Sequence, residues 1–140
     1  NIEEGAPPIV NLYYEKLNGT FIQNIIKKGL INSCHDISDG GIAVCILEMS
    51  MVSNIGFTLE LDSHVTNAWL FGEDQGRYVI SCKNNMVNKI IDFAKTKNIS
   101  ILKIGSTGGS NISFSTDEKL NLDELKNDNK YWLENYMSNN

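Results

Sequence analysis

Proline and cysteine are scarce, with two and three residues in a chain of 140, and histidine occurs only at His35 and His64. Each scarcity excludes something. Cys34, Cys45 and Cys82 are odd in number, widely spaced and set in apolar surroundings, which fits reduced thiols used as small core side chains and not a disulfide framework. Two histidines and three scattered cysteines offer no ligand pair at zinc spacing. There is no Lys/Arg block, and 17 acidic against 12 basic side chains leave a net charge of -5. The electrostatic attraction that nucleic acid or anionic lipid requires is therefore missing, and neither is expected as a partner. No apolar stretch approaches the roughly 20 residues of a bilayer span, and no basic-then-apolar segment opens the sequence. Internal repeats, low-complexity tracts and an inner linker are absent too. The expectation is a soluble, cytoplasmic chain forming one domain over residues 1–140, with 41% hydrophobic residues to build a core.

What is present alternates between two periods. Pro7 and Pro8 suit a helix entry. After them Ile9, Leu12, Tyr13, Leu17, Phe21, Ile22, Ile25 and Ile26 recur at three- and four-residue steps, predicting one core-facing stripe. Asn18 and Gly19 are candidates for a kink, and Gly29 for a left-handed cap. "LINSC" reads as a strand, and a second helix starts at Gly40 with Ile42, Ala43, Ile46, Leu47 and Met51 inward, ending between Asn54 and Gly56. "FTLEL" alternates as a half-buried strand. A short helix, a turn around Gly72 to Gly76 and a strand from Arg77 to Cys82 follow. Then come a helix carrying Val87, Ile90, Ile91 and Ala94, strands at "SILKIG" and "NISFST", and a last helix from about Leu122 to Tyr136. That helix places Leu125, Trp132, Leu133 and Tyr136 near one face. Met49, Met51 and Trp132 are expected in the core. The fold class is α/β or α+β, a mixed β-sheet covered by helices on at least one side.

The chemistry-bearing stretch is "HDISDGGIAV", residues 35–44. Cys34, His35 and Asp36 hold the elements of a nucleophile, base and orienter, but neighbours on a strand point to opposite faces and cannot converge. His64 adds no supporting motif. A strand ending at Asp36, a tight Ser38-Asp39-Gly40-Gly41 bend and a helix start would aim free backbone N–H groups at one point, a seat for phosphate. Carboxylates there repel a bare anion, so the arrangement makes sense if Mg²⁺ bridges or if the carboxylates hold the loop. The plainer alternative is a helix N-cap by Ser38 or Asp39, worth about 1 kcal/mol, followed by turn glycines. In "FGEDQGR", Glu73 and Asp74 offer acid/base or metal groups and Gln75 and Arg77 a grip on a polar substrate, against the simpler reading of a solvated turn. "IGSTGG" precedes a strand, not a helix, and so predicts a hairpin turn instead of a P-loop.

Taken in order and at their separations, "HDISDGGIAV", "LFGEDQGRYVIS" and "IGSTGG" resemble the C-terminal domain of the aminoimidazole ribonucleotide synthetase superfamily. Within it they are similar to the C-terminal end of subunit II of the small-form phosphoribosylformylglycinamidine synthases. The likeness runs from "GAPPIVNLYYEKL" to "YWLENYM". It implies a ligase of purine biosynthesis, dependent on ATP and Mg²⁺. ATP phosphorylates the amide oxygen of formylglycinamide ribonucleotide, and glutamine-derived ammonia displaces phosphate to give the amidine. It also implies that His35, Asp36, Ser38, Asp39, Gly40 and Gly41 form a loop facing a nucleotide or phosphate cleft. Phe71, Gly72, Glu73, Gln75 and Arg77 match the second motif, expected in internal hydrogen bonding and domain contacts. The implied partners are the rest of a longer multidomain synthase chain, a glutaminase subunit and a small bridging subunit.

Members of that family are several times longer, and their catalytic histidines, most Mg²⁺ ligands and most ATP contacts lie in parts with no counterpart here. The resemblance accordingly assigns no catalytic residue and no specific metal ligand to this chain, which alone is expected to be inactive. A partial C-terminal domain missing its first strands is expected to expose a sheet edge or an apolar face and to self-associate, for example as a homodimer. Two further readings stay open: a non-catalytic dimerisation or scaffold domain, and a superfamily relative acting on another substrate.

Overall fold

Asn11 starts the first helix. Its side-chain oxygen accepts from the Tyr14 amide at 3.2 Å, Glu15 lies in the first turn and Lys27 in the last, each placed favourably in the helix dipole. The computed structural model describes residues 9–60, 66–114 and 119–138. Pro7, Pro8, the rest of "GAPP" and His64 lie outside the described residues. Helix α1 (Leu12–Lys27) is followed by β1 (Ser33–Asp36), α2 (Gly41–Ser53), β2 (Phe57–Leu59), α3 (Asn67–Phe71) and β3 (Tyr78–Ser81). A 3-10 turn then leads into α4 (Val87–Lys95), β4 (Gly105–Thr107), β5 (Asn111–Ser113), β6 (Lys119–Asn121) and α5 (Leu122–Ser138). The fold is α+β, and its described residues divide into two compact units, 9–46 with 66–103 and 47–60 with 104–114 and 119–138.

In the first unit β1 and β3 form an antiparallel ribbon, Asp36 opposite Tyr78 and Ser33 opposite Ser81. Phe21 and Ile25 of α1, Leu30, and Ile90 and Ala94 of α4 make its core, with Ile80 of β3, Cys82, Phe93, Ile99 and Ile101 packed against them. The α1 stripe is therefore half right: Phe21 and Ile25 are buried, whereas Ile9, Leu12, Tyr13 and Ile26 are exposed. Asn18 and Gly19 do not break α1. Asn18 Nδ2 donates to the Gly76 carbonyl at 3.0 Å, tying the helix to the turn before β3.

In the second unit β2 is central, antiparallel to β4 and parallel to β5, with β6 antiparallel on the outside of β5. The mixed sheet expected from the sequence is this four-stranded one, and β1 with β3 form a separate two-stranded ribbon. "SILKIG" is not a strand. Ile99 and Ile101 alternate because they pack on the helical core of the first unit, and the strand begins only at Gly105. "STGG" is not a hairpin turn either, since β4 and β5 lie on opposite sides of β2. The loop passes the start of β2, where Gly56 N–H donates to Gly109 O at 2.9 Å and Gly108 N–H donates to Gly56 O at 2.8 Å. Phe57, Leu59, Ile112 and Leu122 are buried in this unit. Trp132, expected in the core, is exposed, and so are Leu133 and Tyr136. Met49 and Met51 are half-buried. The three cysteines are free; Cys45 is buried and the other two half-buried.

Candidate functional site

The β1–β3 ladder sets the two motifs side by side. Beyond Asp36 it continues through Ile37 N–H donating to Arg77 O at 2.9 Å, so the residues leaving β1 run beside those entering β3. The chain then bends as the sequence predicts, because Gly40 and Gly41 both have left-handed φ, +76° and +69°, which non-glycine residues adopt at a cost. Space demands glycine as well. A Cβ on Gly41 would stand 2.6 Å from the Leu70 carbonyl oxygen and 2.7 Å from Phe71 Cα, both rigid backbone at the end of α3.

The amides of this bend are not bare. Gly40 N–H donates to Glu73 Oε1 at 2.9 Å, and Gly41 N–H donates to the Ser38 carbonyl at 3.0 Å. A carboxylate of the second motif thus takes the Gly40 amide, one of the N–H groups expected from the sequence to stand free for an anion. The N-cap alternative fails too, since the exposed side chains of Ser38 and Asp39 make no cap bond among the described residues. Arg77 completes the lock from the other side. Its Nη1 donates to Gly72 O at 3.3 Å and to Asp74 Oδ2 at 3.0 Å, and its Nη2 to Trp69 O at 3.4 Å. The second motif is therefore a bonded corner, as the internal-bonding reading expects, and not a loose solvated turn.

An open cavity of about 510 Å³ lies beside this corner, lined among others by Glu15, Lys16, Asp36, Gln75, Arg77 and Tyr78. Of the expected site residues only Asp36 reaches it; His35, Ser38, Asp39, Gly40 and Gly41 do not line it. Glu15 and Lys16 had no local signal, because contacts between segments distant in sequence, among them the Asn18 tether and the packing of α1 against Ile80, bring α1 to this corner. His35 Nδ1 lies 2.5 Å from the Asp36 carbonyl oxygen; a carbonyl can only accept, so Nδ1 carries the proton. Cys34 cannot serve as a ready nucleophile: burial, then the Asp36 carboxylate, push its thiol above the ordinary value of 9.0. Among the described residues no three His, Cys, Asp or Glu side chains gather as a metal-ligand group, and no helix is long and apolar enough to cross a membrane. The corner offers exposed carboxylates at Asp36 and Asp39 and an ammonium at Lys16.

Comparison with known proteins gives these motifs a context. The family described as AIR synthase related protein, C-terminal domain, matches residues 1–117. Phosphoribosylformylglycinamidine synthase subunit PurL of Rhodopseudomonas palustris is 37% identical over 138 residues, 97% of this chain and 19% of the relative. The PurL subunit of Bartonella bacilliformis is 37% identical over 140 residues, 99% of this chain and 19% of its own length. The chain thus spans about a fifth of the curated relatives it matches. Among solved structures, Thermotoga maritima PurL complexed with FGAR superposes with a TM-score of 0.73 at 15% identity, covering 85% of this chain and 22% of that one. The T. maritima PurLQS structure gives 0.71 at 16%, covering 84% and 22%. At such identities the structures speak for the fold, and they match it.

Proposed function

We propose, because this chain belongs to the AIR synthase related protein C-terminal domain family, that it is the C-terminal part of a multidomain phosphoribosylformylglycinamidine synthase. That enzyme is an ATP-dependent C–N ligase of purine biosynthesis, converting formylglycinamide ribonucleotide to its amidine with glutamine-derived ammonia. The supporting observation is the 37% identity to PurL subunits over 97 to 99% of the chain. A glutaminase subunit and a small bridging subunit are the partners in this reading, and the cytoplasm is its compartment.

This chain's own contribution is a rigid corner and not a reacting group. ATP and Mg²⁺ supply the phosphoryl chemistry in the whole enzyme, but the residues described here do not by themselves fit a complete site for either. The Glu73–Gly40 bond, the Arg77 carbonyl grip and the close approach of Gly41 to the α3 backbone hold the 35–41 loop in one shape. In that shape His35 and Asp36 end the strand, Gly40 and Gly41 make the bend, and the exposed Ser38 and Asp39 border the nucleotide cleft of the longer chain. No catalytic residue is assigned here.

The test is turnover by the full-length polypeptide that carries this sequence, followed as ADP release dependent on formylglycinamide ribonucleotide and glutamine. Absence of such turnover with partner subunits supplied overturns the assignment. Turnover by the 140-residue chain alone overturns the scaffold role. Asp39→Asn in the full-length enzyme is expected to raise KM for ATP while leaving the urea midpoint unchanged, and an unaltered KM removes Asp39 from the cleft.

A further inference from the structure

Helix α5 carries an exposed apolar face. From Asn127 to Ser138 every residue is exposed, including Trp132 at 59%, Leu133 at 54%, Tyr136 at 59% and Met137 at 68%. Only Leu122, at the helix start, is buried. Three turns of helix this exposed gain little from burial and are marginal in water, and aromatic side chains clustered on such a surface mark a contact. Trp132 and Tyr136 already lie against each other, ring centroids 6.3 Å apart, forming one apolar knob.

Two observations indicate what covers it. The domain family match ends at residue 117, whereas the similarity to PurL subunits spans 99% of the chain. Helix α5 therefore lies outside what the domain family shares and inside what the synthase subunits share. Those subunits are about five times longer, this chain being 19% of one, so a polypeptide of that kind brings its own cover at fixed stoichiometry. Charge argues against a second copy. Asp123, Glu124, Asp128 and Glu134 outnumber Lys126 and Lys130 on α5 by four to two, so paired copies would set two net-negative helices together.

We propose that the Trp132–Leu133–Tyr136–Met137 face of α5 docks in cis against the upstream part of the longer synthase polypeptide, in an apolar groove with basic flanks. This inference rests on the reading that the sequence is part of such a polypeptide. The experiment places the photo-cross-linker benzoylphenylalanine at Tyr136 of the full-length chain and maps the products by peptide mass. Cross-links from α5 to upstream residues of the same chain, at monomer mass, are expected. Cross-links to a second copy, to another subunit, or to nothing overturn the proposal. Oxidation of Met137 in the unmodified full-length chain gives an independent readout: about tenfold slower reaction with peroxide than after urea unfolding is expected, and an equal rate overturns the docking. Ligase turnover of the same preparation separates the two failures. An active chain with no cis contact sinks the docking alone, while an inactive one sinks the functional assignment.

Discussion

Helices α4 and α5 are both amphipathic, and their fates differ. In nine residues α4 buries Ile90 and Ala94 and sets Phe93 against Phe21, ring centroids 5.3 Å apart, with Lys28 Nζ 4.6 Å above the Phe93 ring. In seventeen residues α5 buries only Leu122. A stripe at helical spacing shows that a helix has an apolar face; it does not show that this chain supplies the surface opposite. The same contrast divides α1, whose Phe21 and Ile25 are in the core while Leu12 and Tyr13 stand in solvent.

Substitutions break or sharpen this comparison, and the largest effect is expected where backbone meets backbone. Gly41→Ala combines a left-handed φ with a clash against Leu70 and Phe71, and a loss of about 4 kcal/mol in urea unfolding is expected. An unchanged midpoint would show that the bend tolerates a side chain. Ile90→Ala, at a residue 2% exposed, is expected to cost about 3 kcal/mol. Removing the acceptor of Gly40 N–H by Glu73→Ala should cost about 1 kcal/mol and speed hydrogen exchange at that amide, with Glu73→Gln recovering most of both. Leu133→Ala in this chain should stay within about 0.5 kcal/mol. If it matched Ile90→Ala instead, α5 would be as well packed as α4 and the contrast would fall.

The smallest effect belongs to pH. Burial raises the thiols of Cys34 and Cys82 above 9.0, the first also through Asp36. The folded state disfavours the thiolates, so this stabilisation is complete below pH 9.0 and is lost as pH rises from there through the folded values. The drop in urea midpoint above that pH should be shallower in Cys82→Ala than in the unsubstituted chain. An identical drop would show that Cys82 does not contribute.

Much of the fold was legible because it is local. The steps of Phe21, Ile25, Ile90 and Ala94 predict α1 and α4, "FTLEL" predicts β2, and the Gly40-Gly41 pair predicts the bend. Other elements left no local trace. Strand β6, Lys119–Asn121, is exposed throughout and has no alternation to detect. The Ile99 and Ile101 alternation belongs to helix packing. Glu73 was visible as part of a motif, but its role as acceptor for Gly40, 33 residues away, depends on strand pairing that no spacing reports.

By itself the sequence determined which segments are helical, where the chain must bend through glycine, and the likeness to a synthase family, because propensity, periodicity and motif are carried by neighbouring residues. Tertiary structure alone decided that the Gly40 amide bonds Glu73, that β2 separates β4 from β5, and that α5 presents Trp132 to solvent. Those outcomes depend on which distant surface reaches a given group first, and burial energy is a property of the pair that meets and not of either stretch alone.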